Sequence, residues 1–471
     1  QIALTAAAAS LFYITPSFLI YAAALVLLFI LIYARPAWGM AIVAFSFPFY
    51  VVPKPMLGYR FSPVEIFLLV TTAATLLRGA VDNLTHFHQA PPGKTGRDRS
   101  CWSKLWSQPG KMDLAVLALV LIATLSLLFT SRLDVALNEW RVVIIEPALF
   151  YLLWRLQRLE EKEVWVILDA FILSGVVVAG YGLVRYAMGE NIISVAGGLG
   201  RLRSLYGSPN NVALYLGRIM PFLGAMLLLG RADNGWRRWL YLAAILPVGV
   251  ALLLTFSKGA FFLGLPVTGL ILLIFWRRTV GGRVWPWLLG LGLATAIALI
   301  LALGIPGLST RLNLGGYTSF LRLNLWRSSL NMIADQPIFG VGLDNFLYEY
   351  RSRYILDAAW QEPDLNHPHN LFLDFWTRLG IFGLLGGIWL FGSWIVTLTR
   401  LARSALTGRE LSSALPRRWL PVLAGLIAAC GQIVAHGIVD HSFFLVDLAF
   451  TFFFFIGLTG WLHRHYPPAN H

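Results

Sequence analysis

Apolar runs of 16–24 residues recur along most of this chain, and each is long enough to cross the hydrocarbon core of a bilayer. No other feature constrains the fold as much. A water-soluble core has no use for so much apolar surface. In lipid, every backbone N–H and C=O must pair within its own segment, so the runs are helices. They are continuous rather than alternating, which argues against a membrane β-barrel. Composition agrees: 13% of residues are charged, against roughly a quarter in a soluble globular chain. The expected fold is an all-α polytopic integral membrane protein of about 12–14 transmembrane helices. Spans are expected near 18–34, 37–52, 63–80, 113–130, 141–154, 163–184, 209–230, 239–256, 259–276, 286–304, 376–399, 419–438 and 442–462, and residues 2–14 are apolar as well.

The net charge of +14 would suggest nucleic acid in a soluble protein. Here the basic residues cluster in every second loop. Arg78 to Lys111 holds Lys94, Arg97, Arg99 and Lys104; Arg155 and Arg158 follow; then Arg231, Arg237 and Arg238; Arg277, Arg278 and Arg283; and Arg400, Arg403, Arg409, Arg417 and Arg418. Such alternation is the positive-inside pattern, so no nucleic-acid partner is expected, and membrane lipids are. The loops 53–62, 131–140, 185–208, 257–258, 305–375 and 439–441 then face outward, and the C-terminus lies inside. Cys101 and Cys430 lie in different regions and make neither a disulfide nor a zinc pattern.

The outward loop 305–375 is far longer than the others and carries aromatics and punctuating Pro337, Gly340, Gly342, Pro363 and Pro368. A loop of that length in a compact bundle is usually functional or disordered. Its mixed composition predicts a small folded domain. Three parts follow: an N-terminal transmembrane bundle over 1–304, an extracytoplasmic loop domain over 305–375 and C-terminal transmembrane helices over 376–471. No internal repeat is visible, which weighs against a transporter built on inverted repeats.

Basic residues on the outward side run against the positive-inside rule and are therefore informative. Arg201, Arg203, Lys258, Arg311, Arg322 and Arg327 are all predicted there. Singly, each is explained by snorkelling or by pairing with carboxylates such as Asp335 and Glu349. As a group they suit an anionic ligand, because guanidinium groups match phosphate oxygens and Lys serves as a point charge. Arg218 falls mid-span, in the helix opened by Asn210 and Asn211, where a charge must face the bundle interior or a wet cavity. Its expected partners are Glu146 and Asp169. The competing reading is a structural ion pair.

The densest polar cluster is Glu362-Pro-Asp364-Leu-Asn366-His367-Pro368-His369-Asn370, directly before an apolar helix. Pro368 suits the first turn of that helix, with Asn366 or His367 as cap. Gly380 lies eleven residues beyond His369, almost three turns, which predicts one shared helix face at the mouth of the bundle. Histidine accepts protons near neutral pH, so His369 is the candidate base, with His367 and Asn370 beside it. A metal held by Glu362, Asp364, His367 and His369 would need a spacing that matches no zinc signature. No metal and no cofactor is expected.

Four stretches resemble the O-antigen ligase/polymerase superfamily of bacterial envelope glycosyltransferases. They are Gly207-Ser-Pro-Asn-Asn211, Ser257-Lys258-Gly259-Ala260, Arg322-Leu-Asn-Leu-Trp326 with Pro337-Ile-Phe-Gly340-Val-Gly342, and His369-Asn370 followed after nine residues by Gly380-Ile-Phe-Gly383. The last fits the ligase pattern His-Asn-x9-Gly-x-x-Gly and is the most specific. The turn carries Lys258 where ligases usually have Arg, and Trp326 stands where the ligase motif has Leu.

The resemblance implies a GT-C-like, metal-independent membrane glycosyltransferase in the bacterial inner membrane, working on its periplasmic face. Its donor would be a glycan on undecaprenyl diphosphate, and its acceptor a glycan or lipid-glycan hydroxyl. Lys258 and Arg322 would hold the diphosphate, and His369 would take the acceptor proton. Arg218, Arg311, Arg327, Arg201, Arg203, Asn210, Asn211, His367 and Asn370 are the expected substrate contacts, with Trp326, Tyr350, Tyr354 and Trp360 as sugar-stacking faces. A polymerase that extends the lipid-linked glycan is the rival within the superfamily. A flippase or exporter of lipid-linked sugars is the rival outside it.

Overall fold

The computed structural model describes residues 1–56, 58–89, 109–194, 200–281, 283, 286, 317–407 and 415–468, and these are helical almost throughout. Among the described residues nine helices are long and apolar enough to cross a membrane: Pro63–Leu84, Lys111–Phe129, Glu161–Ala187, Pro209–Leu229, Trp236–Leu254, Ala260–Val280, Leu371–Leu406, Arg417–Gly437 and Val446–His465. Three shorter apolar helices, Ile2–Ile14, Phe18–Ala34 and Pro36–Val51, precede them. The chain is an all-α polytopic membrane protein. Its described strands form only two short hairpins, Lys54–Met56 with Tyr59–Phe61 and Ile192–Ser194 with Gly200–Leu202. The span expected near 286–304 lies almost wholly outside the described residues, as does Arg311. The short span expected at 141–154 is the later part of a longer helical stretch. Leu133–Glu139 passes through a π-helical turn, Trp140–Ile145, into Glu146–Leu156.

Burial follows the requirements of lipid. In Lys111–Phe129, Ala115, Leu119 and Ala123 are buried while Leu117, Leu121 and Leu125 are exposed, two stripes at one-turn spacing on different faces. An outward leucine stripe costs nothing against acyl chains. The Val446–His465 helix sits innermost, and its Phe452, Phe453, Phe454 and Phe455 are all fully buried. Ionic contacts tie these helices to one another: Arg155 with Asp113 at 3.0 Å, Arg237 with Asp169 at 2.7 Å and Arg418 with Glu161 at 2.6 Å.

The segment after residue 316 folds on itself. The helix Tyr317–Asp335 and the short helix Phe346–Glu349 share a small core of Leu325, Met332, Val341, Phe346 and Tyr350. Asn345 anchors this unit to the bundle. Its carbonyl oxygen accepts from Ser131 Oγ at 2.9 Å and Arg132 N at 2.8 Å, and its amide donates to Thr130 Oγ1 at 2.7 Å.

The helix beyond the polar cluster differs from expectation in two ways. It begins at Leu371, and its cap is Asn370 rather than Asn366 or His367: Asn370 Oδ1 accepts from the amides of Phe372 and Leu373 at 3.0 and 3.1 Å. The helix starts too far on for Asn366 or His367 to reach its first-turn amides, and the Asn370 side chain directly before it satisfies two of those orphan donors. His369 precedes the cap with φ of 50°, so it does not lie on the helix. Further on, Gly380 leaves helical geometry at φ 67°. A Cβ there would come 1.9 Å from the Ile338 carbonyl oxygen. The strap Pro337–Val341 crosses at this break, with Val341 N donating to Thr377 O at 2.7 Å and Ile381 N to Pro337 O at 2.9 Å. The glycine spacing therefore serves a strap crossing, and His369 and Gly380 share no continuous helix face.

Candidate active site

Two segments far apart in sequence converge at the N-terminal end of the Leu371–Thr407 helix. One is the polar stretch ending at Asn370. The other is the turn 438–445 between the last two spans. Asn370 Nδ2 donates to Ile438 O at 2.9 Å and joins them. The second segment carries Asp440 and His441, both buried. Arg218, fully buried, holds this turn from below by donating to the Ser442 carbonyl at 2.6 Å. The expected partners of Arg218 are otherwise engaged. Glu146 accepts from Arg141 at 2.9 Å, and Asp169 accepts from Arg237 and Tyr241 at 2.7 and 2.8 Å.

Asp440 is the hub. Its Oδ1 lies 2.7 Å from His369 Nδ1 and also accepts from the His441 amide at 3.0 Å, while Oδ2 faces Arg322 Nη2 at 3.7 Å. His367 Nε2 lies 3.0 Å from His369 Nδ1, and His367 Nδ1 lies 2.6 Å from Asn366 Oδ1. These partners set the tautomers. His367 donates from Nδ1 to Asn366. His369 donates from Nδ1 toward Asp440, which leaves its Nε2 as an acceptor. The His369 side chain keeps 20% of its surface open.

Charge and burial divide the roles. Burial alone would push the Asp440 carboxyl up, but the hydrogen bond from His369 and the Arg322 guanidinium outweigh it and hold the group well below the usual carboxylate range. Burial, with His441, His369, Arg378 and Arg322 nearby, draws His367 well below the ordinary imidazole value. The His441 imidazole is drawn down to about 3, chiefly by burial. Both rings are thus neutral near neutral pH. A ligating nitrogen or oxygen from each of His367, His369, Asp440 and His441 lies within 4.8 Å of the others, which is a metal-compatible cluster. Glu362 and Asp364 do not join it: both are exposed, and Asp364 pairs with Arg351 at 2.9 Å.

A buried ionic group supports the cluster from behind. Arg378 Nη1 donates to both Glu139 oxygens at 2.7 and 2.6 Å, its Nε donates to Asp374 at 2.7 Å, and its Nη2 reaches the Asn366 carbonyl at 3.3 Å. In front of the histidines lies a cavity of about 440 Å³, lined by Tyr50, Asn210, Asn211, His367, His369 and Asp440 among others. Arg201 connects it to the Lys258 turn, since its Nε donates to Thr255 O at 2.7 Å and its Nη2 to Asn210 Oδ1 at 2.8 Å. Gly259, beside Lys258, packs against the His436 ring, where a Cβ would come within 2.5 Å.

Of the residues singled out from sequence, His367, His369 and Arg322 come together around Asp440, Asn370 ties the two segments at Ile438, and Asn210 and Asn211 line the cavity, whereas Lys258 and Arg322 are not among its lining residues. Arg218 lies beneath the turn and off the cavity wall. Arg203 bonds Asn191 across the Ile192–Leu202 hairpin, and Arg327 is exposed on its helix. Among the aromatics, Tyr350 is fully buried in the small core, Trp326 donates to the Pro368 carbonyl at 2.9 Å, Tyr354 donates to Asp335 at 2.8 Å, and Trp360 is exposed. Sequence reasoning missed Asp440, His441 and Arg378. A signal for the first two was present, in the form of a carboxylate and an imidazole in a tight turn between two apolar helices.

Fold and site define a polytopic membrane protein with a His–Asp–Arg constellation at one end of its bundle, beside a segment with a small core of its own. Residues 240–388 match the family model described as O-antigen ligase, a stretch that includes Lys258, Arg322 and His369. Over that stretch the chain is similar to O-antigen ligases. No curated protein matches the chain.

Proposed function

We propose that the protein transfers a glycan from a polyprenyl diphosphate, undecaprenyl diphosphate in the bacterial inner membrane, to an acceptor hydroxyl on the outer face. The single observation that carries this reading is the Asp440 carboxylate shared between His369 and Arg322, 2.7 and 3.7 Å away. It puts an oriented proton acceptor at the cavity wall and a guanidinium on the far side of the shared carboxylate. In the reaction, the acceptor oxygen attacks the anomeric carbon and its proton passes to His369 Nε2. The bond from that carbon to the diphosphate oxygen breaks with inversion, and the lipid diphosphate leaves with the electron pair. Arg322 and Lys258 neutralise the leaving group, and Asp440 stabilises the imidazolium. The chain needs no metal for these steps, because the diphosphate is already a good leaving group once its charge is met.

The test is incubation of purified protein with undecaprenyl-diphosphate glycan and candidate acceptors. Release of lipid diphosphate with glycan on a different acceptor is the expected result. A longer lipid-linked glycan would instead make the protein a polymerase. Passage of the lipid-linked sugar across a bilayer without bond cleavage would overturn the transferase reading in favour of a flippase.

A further inference from the structure

Two acceptor atoms, Asp440 Oδ1 and His367 Nε2, converge on one proton in this site. His369 Nδ1 lies 2.7 Å from Asp440 Oδ1 and 3.0 Å from His367 Nε2, and a single N–H must serve both contacts. His441 adds a fourth group, with Nδ1 3.8 Å from Asp440 Oδ1. Both of its ring nitrogens are buried without a hydrogen-bond partner. Buried imidazoles without partners are costly, and three rings are packed here with centroids 3.7 Å apart for His367–His441 and 4.1 Å for His367–His369.

We infer that His367, His369, His441 and Asp440 form a site for a divalent transition metal of the zinc class. Nitrogen and carboxylate ligands at about 2.0–2.1 Å in a tetrahedron stand roughly 3.3 Å apart. Four of the six distances between these groups, 2.7, 3.0, 3.8 and 4.0 Å, bracket that value, and all six lie within 4.8 Å. Imidazole ligands suit this class of ion, and one carboxylate lowers the net charge of the bound state. His367 also has the outer support such ligands usually have, because Asn366 Oδ1 fixes its Nδ1–H and directs Nε2 inward. Arg322 opposes a cation from 3.7 Å beyond Asp440 Oδ2, whereas Arg378 is already matched by Glu139 and Asp374.

The inference bears on the proposed transfer and, in that part, rests on it. A metal on His369 Nδ1 replaces the proton there, and the neutral ring must then carry its proton on Nε2. The lone pair that would accept the acceptor hydroxyl's proton is gone. Zinc-class ions and transfer therefore compete for one histidine, and the ion silences the enzyme.

Cobalt(II) titration of chelator-treated, purified full-length protein reads the site without reference to transfer. One equivalent bound with the visible absorption of four-coordinate cobalt is expected, displaced by zinc. His441→Ala and His441→Gln should each weaken binding by about 10²-fold or more, since even outer-sphere changes cost about 10–100-fold. Zinc should suppress transfer by the wild-type protein, and chelator should restore it. Absence of saturable cobalt binding to the wild-type protein overturns the site, as does unchanged affinity in both variants. Zinc-stimulated transfer overturns the silencing. Cobalt binding without transfer in chelator counts against the transferase reading and leaves the site standing. Transfer without cobalt binding does the reverse.

Discussion

His369 meets Asp440 through Nδ1 at 2.7 Å, and the outer oxygen of the same carboxylate faces Arg322. Asp440 is buried, so its two partners replace the water it has lost. This arrangement sets which nitrogen of His369 faces the cavity, and it makes Asp440 a positioning residue for the base.

Asp440→Asn keeps the shape but removes the charge and lets the amide donate to His369, which favours the wrong tautomer. Turnover at saturating donor should fall by about 10²–10⁴, the range typical of losing general-base function. Steady-state kinetics with lipid-linked glycan measures it. Near-normal turnover would remove Asp440 from the mechanism.

His369→Ala should abolish detectable transfer while donor binding persists, because Arg322 and Lys258 remain. His367→Ala should keep partial activity, since His367 touches His369 through Nε2 and not through the cavity-facing nitrogen. Single-turnover assays with a parallel donor-binding measurement separate the two. Dead His367→Ala with active His369→Ala would reverse the assignment. Loss of donor binding in His369→Ala would make that histidine a phosphate ligand.

Arg378→Met should be strongly destabilising. The Arg378 side chain is 4% exposed and is shared by Glu139 and Asp374, so removing it leaves two buried carboxylates unmatched. Breaking a buried pair in this way costs about 3–5 kcal/mol. A clear drop in the melting temperature of detergent-purified protein is the expected outcome. Unchanged melting would mean that the carboxylates find other partners.

The alternating basic loops predict that 305–375 lies outside and 400–418 inside. With Cys101 and Cys430 replaced by Ser, a cysteine at exposed Trp360 should react with an impermeant reagent on intact cells. A cysteine at Arg403 should react only after permeabilisation. Labelling of the Arg403 position on intact cells would invert the orientation.

Helix type and span positions were determined by the sequence alone. A backbone in lipid has no partner but itself, and apolar length is written locally; the expected spans 18–34, 113–130 and 209–230 fall on Phe18–Ala34, Lys111–Phe129 and Pro209–Leu229. The polar stretch Glu362–Asn370 also announced itself, because so many titratable groups beside an apolar helix stand out in a chain this hydrophobic. Tertiary structure alone decided how those groups are used. Asp440 lies 71 positions from His369, and Glu139 lies 239 from Arg378. No periodicity records pairings over such separations, which depend on how whole helices pack. The same holds for the break at Gly380. Its spacing from His369 reads as a helical repeat, but the Pro337–Val341 strap needs that backbone position free of a Cβ, and the crossing exists only once the chain has folded.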